Sequence, residues 1–208
     1  MAGAAFRVAV LISGSGTNLQ ALLDTVHGPD IEIVGVASSR GDAAGLERAR
    51  RAGVETAVFA IADHQDRAGR DRALGDWLEA RGVELVVLAG FMELLGPQLV
   101  RRFAGRIVNV HPSLLPAFPG VRAIEQAVEH GVKVTGVTVF FVDEHMDNGP
   151  IVLQEALELP YPAQIAELEQ RVHEVEHRLL PRAVRLIAAG RVRVDPANPR
   201  AMLIDDVD

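Results

Sequence analysis

The first half of the chain alternates short apolar runs with segments of helical length, and this alternation constrains the fold more than any other feature. Residues 6–12, FRVAVLI, are typical of a strand buried on both faces of a parallel sheet, and small residues and a leucine-rich helical segment follow at once. Further strands are predicted at 31–38, 83–89 and 106–110, and helices at 43–52, 67–81 and 97–103. Such repeated units predict an α/β protein with a doubly wound, mostly parallel sheet and right-handed crossovers.

Beyond residue 130 the pattern predicts antiparallel structure. Two strand-like runs, 133–142 and 151–159, are joined by the turn-rich segment DEHMDNGP, so we expect a hairpin with a long loop at one edge of the sheet. A long helix is expected from about 163 to 188, kinked or interrupted at Pro181. The tail, about 191–208, is expected to hold a short strand and a loose end. No linker or repeat divides the sequence, which favours a single domain over 1–208.

The composition excludes several classes of function. The 208 residues include no cysteine, which excludes disulfides, thiolate nucleophiles and cysteine-bound metal clusters. Lys and Arg number 21 against 28 Asp and Glu, giving a net charge of -7 without a basic stripe, so we expect no nucleic-acid partner. The N-terminal apolar run is too short for a signal peptide or membrane span. We therefore expect a cytoplasmic protein with no membrane partner.

The loop after the first strand is the first candidate site. Gly14 and Gly16 let backbone N–H groups converge, and the next helix directs its positive end at the same point, so a phosphate would fit there. The loop lacks the third glycine of a dinucleotide site and the Gly-Lys-Ser/Thr of a Walker loop. A tight turn with Thr17 or Asn18 as the helix cap explains the same residues equally well.

Asn109 and His111, at the end of a predicted central strand, form the second candidate site. Side chains alternate along a strand, so these two face one crevice while Val110 faces away. Open α/β sheets bind ligands at this edge. A single histidine there is more often structural than catalytic, and the paired asparagine favours catalysis.

Asp147 is the third candidate, because it lies in a loop that could fold over the sheet edge. A plain hairpin turn has the same Asp-Asn-Gly-Pro composition. The glutamates of the late helix, Glu176 among them, are most simply explained as a solvated helix face.

Four ordered motifs together resemble a known family: VLISGSGTNLQAL from residue 10, LAGFM from 88, NVHPSLLP from 109 and DNGPI from 147. They are similar to phosphoribosylglycinamide formyltransferases, the folate-dependent enzymes of purine synthesis, over about residues 6–190. The resemblance implies a formyltransferase-type, Rossmann-like fold. It also implies that the formyl group of 10-formyltetrahydrofolate passes to the glycinamide amine of a phosphoribosyl substrate, with no metal required.

The resemblance further implies a role for each matching residue. Asn109, His111 and Asp147 form the catalytic set: Asn109 and protonated His111 would donate to the developing oxyanion, and Asp147, whose charge favours that protonated form, would relay protons through water. The residues implied to bind the substrate are Gly16, Thr17 and Asn18 at its phosphate and Glu176 at its glycinamide end. The residues implied to bind the folate are Arg67, near its acidic tail, and Met92, Glu93, Leu94, Leu95 and Asn109. The Leu115–Pro116 bond matches a position that tends to be cis.

Two positions depart from the family pattern. Phe140 and Arg122 stand where many members carry histidine. We expect activity to survive because the Asn109, His111 and Asp147 set is intact. The phosphate contacts would then be redistributed, for example onto Arg122.

Three alternative functions stay open. Methionyl-tRNA formyltransferases share the Ser-Leu-Leu-Pro loop but add an RNA-binding domain and usually a basic surface, which does not suit a chain that ends at Asp208 with net negative charge. Formyltetrahydrofolate hydrolases carry an extra N-terminal regulatory domain. A non-catalytic phosphate-binding module would use the glycine loop alone. We expect small-molecule substrates and either a monomer or a homodimer.

Overall fold

A computed structural model describes residues 5–205, so the last part of the predicted tail, 206–208, lies outside the described residues. The chain divides into two compact units, Met1–Val108 and Asn109–Asp208. The elements of the first unit are β1 (Phe6–Ile12), α1 (Thr17–Thr25), β2 (Ile31–Ser38), α2 (Ala44–Arg51), β3 (Thr56–Val58), a 3-10 turn (Ile61–Asp63), α3 (Arg67–Ala80), β4 (Leu85–Leu88) and α4 (Pro97–Arg102). Strand β5 (Ile107–His111) begins in the first unit and ends in the second.

The first unit is built on parallel strands in the order β3-β2-β1-β4, with helices between consecutive strands. Every side chain from Val8 to Ile12 in β1 is fully buried, as the unbroken apolar run predicts for a central strand. The mostly parallel α/β fold is thereby confirmed. Strand β3 was not predicted, because three residues at the edge of a sheet are too few for a periodic signal.

The second unit is mainly antiparallel. Its elements after β5 are α5 (Ala123–Glu129), β6 (Val134–Phe141), β7 (Ile151–Glu158), α6 (Ile165–Ala188), β8 (Val192–Asp195) and β9 (Asn198–Ile204). Strands β6 and β7 pair from Val134 with Glu158 onward, which confirms the predicted hairpin. Helix α5 was not predicted, since seven residues give a weak helical period.

The C-terminal tail is more ordered than its sequence predicts. Strand β8 matches the predicted short strand, but the predicted loose end is wrong, because residues 198–204 form β9. Strand β9 pairs antiparallel with β8 and parallel with β7 at Ile151 and Ala201. No residue of either tail strand is fully buried, so these strands lack the alternating apolar pattern that marks a strand in sequence.

Helix α6 continues through Pro181, so the predicted interruption is wrong. A proline inside a helix costs about 3 kcal/mol, but α6 buries a long apolar stripe and Pro181 itself is buried within it. Packing of that stripe stabilises the helix beyond its local propensity. No helix within residues 5–205 has both the length and the apolar character needed to cross a membrane.

His177 in α6 makes folding stability depend on pH. Burial lowers the pKa of His177 below its ordinary value of 6.5, and the neighbouring His173 lowers this pKa further against the opposing charge of Glu174. The two imidazole rings stack with centroids 6.2 Å apart. The unfolded chain therefore takes up a proton at His177 more readily than the folded chain, and stability is lost as the pH falls from about 6.5 toward the lower pKa of the folded chain.

We predict that His177→Gln flattens the decrease of the melting temperature between about pH 7.5 and pH 5.5, because the residue that resists protonation in the folded state is gone. Thermal unfolding followed by circular dichroism measures the decrease. The control is His145→Gln, because the side chain of His145 is exposed in the loop between β6 and β7. The melting temperature of this variant should decrease with pH as it does in the wild type. An unchanged slope in His177→Gln would contradict the prediction.

Candidate active site

His111 and Asp147 form the centre of the candidate site in the second unit. His111 ends β5, and Asp147 lies in the loop between β6 and β7. The imidazole Nδ1 and the carboxylate Oδ2 are 3.6 Å apart, and the two side chains are only 5% and 14% exposed. The structure thus brings together two of the three side chains that the sequence analysis assigned to catalysis.

A backbone carbonyl fixes the orientation of the imidazole. His111 Nε2 lies 2.8 Å from the carbonyl oxygen of Phe118. Because a carbonyl oxygen only accepts hydrogen bonds, Nε2 carries a proton and donates it. The other ring nitrogen, Nδ1, faces Asp147.

The carboxylate of Asp147 is held by a backbone amide. Gly120 N donates to Oδ2 over 2.6 Å. The carboxylate oxygen that faces His111 is therefore also bonded to the loop that follows His111 in the chain. Asp147 has φ 48, in the left-handed region, which is strained for a residue with a side chain and persists only where the surroundings impose it. The position of the carboxylate therefore depends on the contacts of its neighbours.

Two polar residues of the hairpin anchor the loop between His111 and Gly120. The buried Thr138 hydroxyl donates to Ser113 O over 2.7 Å and accepts from Leu115 N over 3.1 Å. Gln154 Nε2 donates to both Leu115 O and Thr138 Oγ1 over 2.9 Å. The Leu115–Pro116 peptide within this loop is cis, as the resemblance implied. Sequence reasoning missed Thr138 and Gln154, and strand alternation is the only signal that could have placed Thr138 inward.

The other predicted residues of the second unit lie on several elements. Asn109 is half-buried on β5, two residues before His111 and on the same face of the strand, and Glu176 is buried on α6. Phe140 is buried in β6. Arg122, with φ 60, is exposed just before α5, and its guanidinium lies 3.4 Å from Glu125 and 3.7 Å from Glu129.

The glycine loop of the first unit is tightly packed against α2. A Cβ atom on Gly16 would lie 2.6 Å from the Cα of Gly45, and Gly16 has φ 70, so this position requires glycine. Gly45 N donates to Gly14 O over 3.1 Å. Gly16 is the residue that precedes the first turn of α1, so the alternative in which Thr17 or Asn18 caps the helix is wrong: both lie inside it. The N–H groups of that first turn point toward the loop.

The loop after β4, residues 91–96, carries the residues predicted to bind folate and is fixed by buried charges. The fully buried Arg70 on α3 lies 2.6 Å from the carboxylate of Asp71 and 2.9 Å from that of Glu93, and it donates to Leu94 O over 3.1 Å. Asp71 accepts from Gly96 N over 2.6 Å. Sequence reasoning missed this pair, because adjacent Arg and Asp residues on a helix are usually solvated.

Hydroxyl groups hold the start of the same loop. Met92 N donates to Ser13 Oγ over 2.9 Å, and Ser13 Oγ lies 2.7 Å from Ser39 Oγ, so the loops after β1, β2 and β4 are linked. Met92 and Leu94 are nevertheless 83% and 54% exposed. A rigid backbone thus presents apolar side chains at the carboxyl ends of parallel strands, where α/β proteins bind ligands. Arg67 is exposed at the first turn of α3.

Comparison with known proteins gives a consistent result. Residues 6–184 match the family model described as formyl transferase. The phosphoribosylglycinamide formyltransferase of Haemophilus influenzae is 42% identical over 190 residues, which cover 90% of each chain. The trifunctional purine biosynthetic protein adenosine-3 of Homo sapiens is 45% identical over 90% of this chain, which spans only 19% of that protein. The crystal structure of glycinamide ribonucleotide transformylase 1 from Symbiobacterium toebii superposes with a TM-score of 0.92, at 47% identity, over 98% of this chain and 96% of that one.

We predict that Arg70→Met lowers the free energy of unfolding by about 3–5 kcal/mol, because it leaves the buried carboxylate of Asp71 without its cation. Urea denaturation measures the change. Arg72→Met is the matched control, since Arg72 is exposed on the same helix and its replacement should cost less than about 0.5 kcal/mol. Equal losses of unfolding free energy in the two variants would show that the buried ion pair of Arg70 and Asp71 contributes no more to stability than an exposed arginine does.

Proposed function

The chain belongs to the formyl transferase family, and we propose that it transfers the formyl group of 10-formyltetrahydrofolate to the amine of 5′-phosphoribosylglycinamide. The products are formylglycinamide ribonucleotide and tetrahydrofolate, and the step belongs to de novo purine biosynthesis in the cytoplasm. The observation that carries the proposal is the buried pair of His111 and Asp147 at the end of β5. A solvated hairpin turn would not need to bury a carboxylate against an imidazole.

The two ends of the phosphoribosyl substrate require different groups. Its phosphate would bind at Gly16, Thr17 and Asn18, where the N–H groups of α1 begin and the helix dipole favours an anion. Its glycinamide end would contact Glu176, whose carboxylate is buried on α6 and accepts hydrogen bonds from an amine.

The folate would bind against Met92, Glu93, Leu94 and Leu95. The fixed backbone of this loop offers N–H and C=O groups in constant positions to a flat heterocycle, and Met92 and Leu94 offer apolar contact. The exposed Arg67 would pair with the acidic tail of the folate. These features fit 10-formyltetrahydrofolate as co-substrate.

In the proposed reaction the substrate amine attacks the formyl carbon and builds a tetrahedral intermediate with a negative oxygen. The amide of Asn109 and the Nδ1–H of His111 donate to that oxygen, since Nε2 is already bonded to Phe118 O. The attacking nitrogen loses a proton and the folate nitrogen gains one as its bond to the formyl carbon breaks. The carboxylate of Asp147 relays this proton through water.

We predict that His111→Ala lowers kcat for formyl transfer at least about a hundredfold, because it removes a principal donor to the oxyanion. Asp147→Asn should also lose about 10²–10⁴-fold. His145→Ala is the control, because this histidine lies in the same loop as Asp147 but its side chain is exposed. Near-normal turnover in His111→Ala would reject the catalytic assignment and favour a module that binds phosphate only.

The acceptor is tested by supplying 10-formyltetrahydrofolate with phosphoribosylglycinamide, with methionyl-tRNA, or with water alone. We expect tetrahydrofolate to form only with phosphoribosylglycinamide. Equal rates with water alone would identify a formyltetrahydrofolate hydrolase. Formylation of the tRNA would identify a methionyl-tRNA formyltransferase.

We also predict that Arg122→Ala raises the KM for phosphoribosylglycinamide about tenfold and leaves kcat unchanged, because Arg122 replaces a frequent family histidine and carries an exposed guanidinium. Steady-state kinetics at varied phosphoribosylglycinamide measures both constants. The same KM in the variant and the wild type would dismiss a contact between Arg122 and the phosphate.

A further inference from the structure

The C-terminal hairpin is bonded to the loop that carries Asp147. Arg200 lies on β9, and its Nη2 donates to both the backbone oxygen and the side-chain Oδ1 of Asn148, each over 3.0 Å. Asn148 directly follows Asp147. One nitrogen of an exposed arginine therefore fixes the main chain and the side chain of the residue next to the proposed proton relay.

The register of the strands places Arg200 at this point. Ala201, the next residue, pairs with Ile151 at the start of β7, just after the loop ends. Phe141 N donates to Pro150 O over 2.9 Å and closes the base of the loop. Arg200 thus reaches the loop from a strand that is itself aligned with the base of the loop.

Two further hydrogen bonds join residues within the loop. His145 N donates to Asp143 Oδ1 over 2.8 Å, and Asn148 Nδ2 lies 3.5 Å from Asp143 Oδ2. These bonds shape the loop but do not attach it to another element. At Asp147 and Asn148 the loop is attached to other segments by the contact of Asp147 with His111, the bond from Gly120 N and the two bonds from Arg200.

These attachments act on a strained residue. Asp147 has φ 48, a left-handed conformation that aspartate adopts more readily than most residues with a side chain and that the surrounding contacts maintain. The bond from Gly120 holds the carboxylate, and the bonds from Arg200 hold the following residue. A carboxylate that relays a proton must be held within about 0.5 Å of its working position.

We propose that Arg200 is a positioning residue for Asp147, and that β8 and β9 thereby contribute to the active site. This inference rests on the proposed function, in which Asp147 moves a proton. Arg200 acts through Asn148 and touches no reacting atom. Losing it leaves the substrate-binding residues in place, so the expected loss is in kcat and not in KM.

The test compares Arg200→Ala with Arg193→Ala. Arg193, on β8, is an exposed arginine of the same hairpin, paired with Asp205 over 3.3 Å. We expect Arg200→Ala to lower kcat about tenfold, with both KM values within about twofold of the wild type. Hydrogen exchange of amides 143–149, measured by mass spectrometry without ligands, should accelerate. Arg193→Ala should change neither kcat nor the exchange of these amides. Arg200→Lys, which keeps one donor group, should recover part of the kcat.

Asn148 supplies a second measurement. If Arg200 acts through Asn148, the kcat losses of Arg200→Ala and Asn148→Ala should not multiply in the double variant. Equal kcat losses in Arg193→Ala and Arg200→Ala, with fully multiplicative losses in the double variant, would overturn the positioning role and assign the effect to hairpin stability.

Asp147→Asn separates failure of this inference from failure of the proposed function. If Asp147→Asn keeps wild-type turnover, the proposed role of Asp147 is wrong and the inference falls with it. If Asp147→Asn loses turnover while Arg200→Ala keeps wild-type kcat and wild-type exchange at 143–149, the inference alone is wrong.

Discussion

The hydrogen bond from His111 Nε2 to the carbonyl oxygen of Phe118 determines what the site in the second unit can do. It assigns the donor role to Nε2, and it turns the other ring nitrogen toward Asp147. The bond depends on the loop after β5 keeping its shape, and Thr138 and Gln154 maintain that shape from the hairpin. The antiparallel hairpin is therefore the scaffold of the histidine, although no residue of β6 or β7 belongs to the predicted catalytic set.

Much of the fold could be predicted because its central strands are buried on both faces. The runs at 6–12 and 31–38 are apolar almost throughout, and burial is the physical cause of that composition. Elements that are short or exposed, such as β3, α5 and β9, leave no comparable pattern. The predicted interruption at Pro181 was wrong for a related reason, since its local penalty was visible in the sequence and the tertiary packing that outweighs it was not.

The candidate site, like the fold, could be predicted only in part from the sequence. His111 and Asp147 could be found from the sequence because chemically active residues stood at strand ends and in a family motif. Their supports could not, because most of the partners are main-chain groups: Phe118 O holds the imidazole, Gly120 N holds the carboxylate, and Asn148 O accepts from Arg200. A backbone amide or carbonyl is present at nearly every position and gives no signal in the sequence.

Polar anchors of this kind cost more to bury than apolar side chains do, and replacing a buried ion pair by apolar packing is often neutral or stabilising. In each unit, however, they hold the loops that carry the predicted site residues: Arg70 and Asp71 hold residues 91–96, and Thr138 and Gln154 hold the loop after His111. Hydrogen bonds fix direction as well as distance, which apolar contacts do not. Formyl transfer between two bound molecules draws much of its rate from orientation. These anchors therefore carry their desolvation cost at loops where misplacement would slow the reaction.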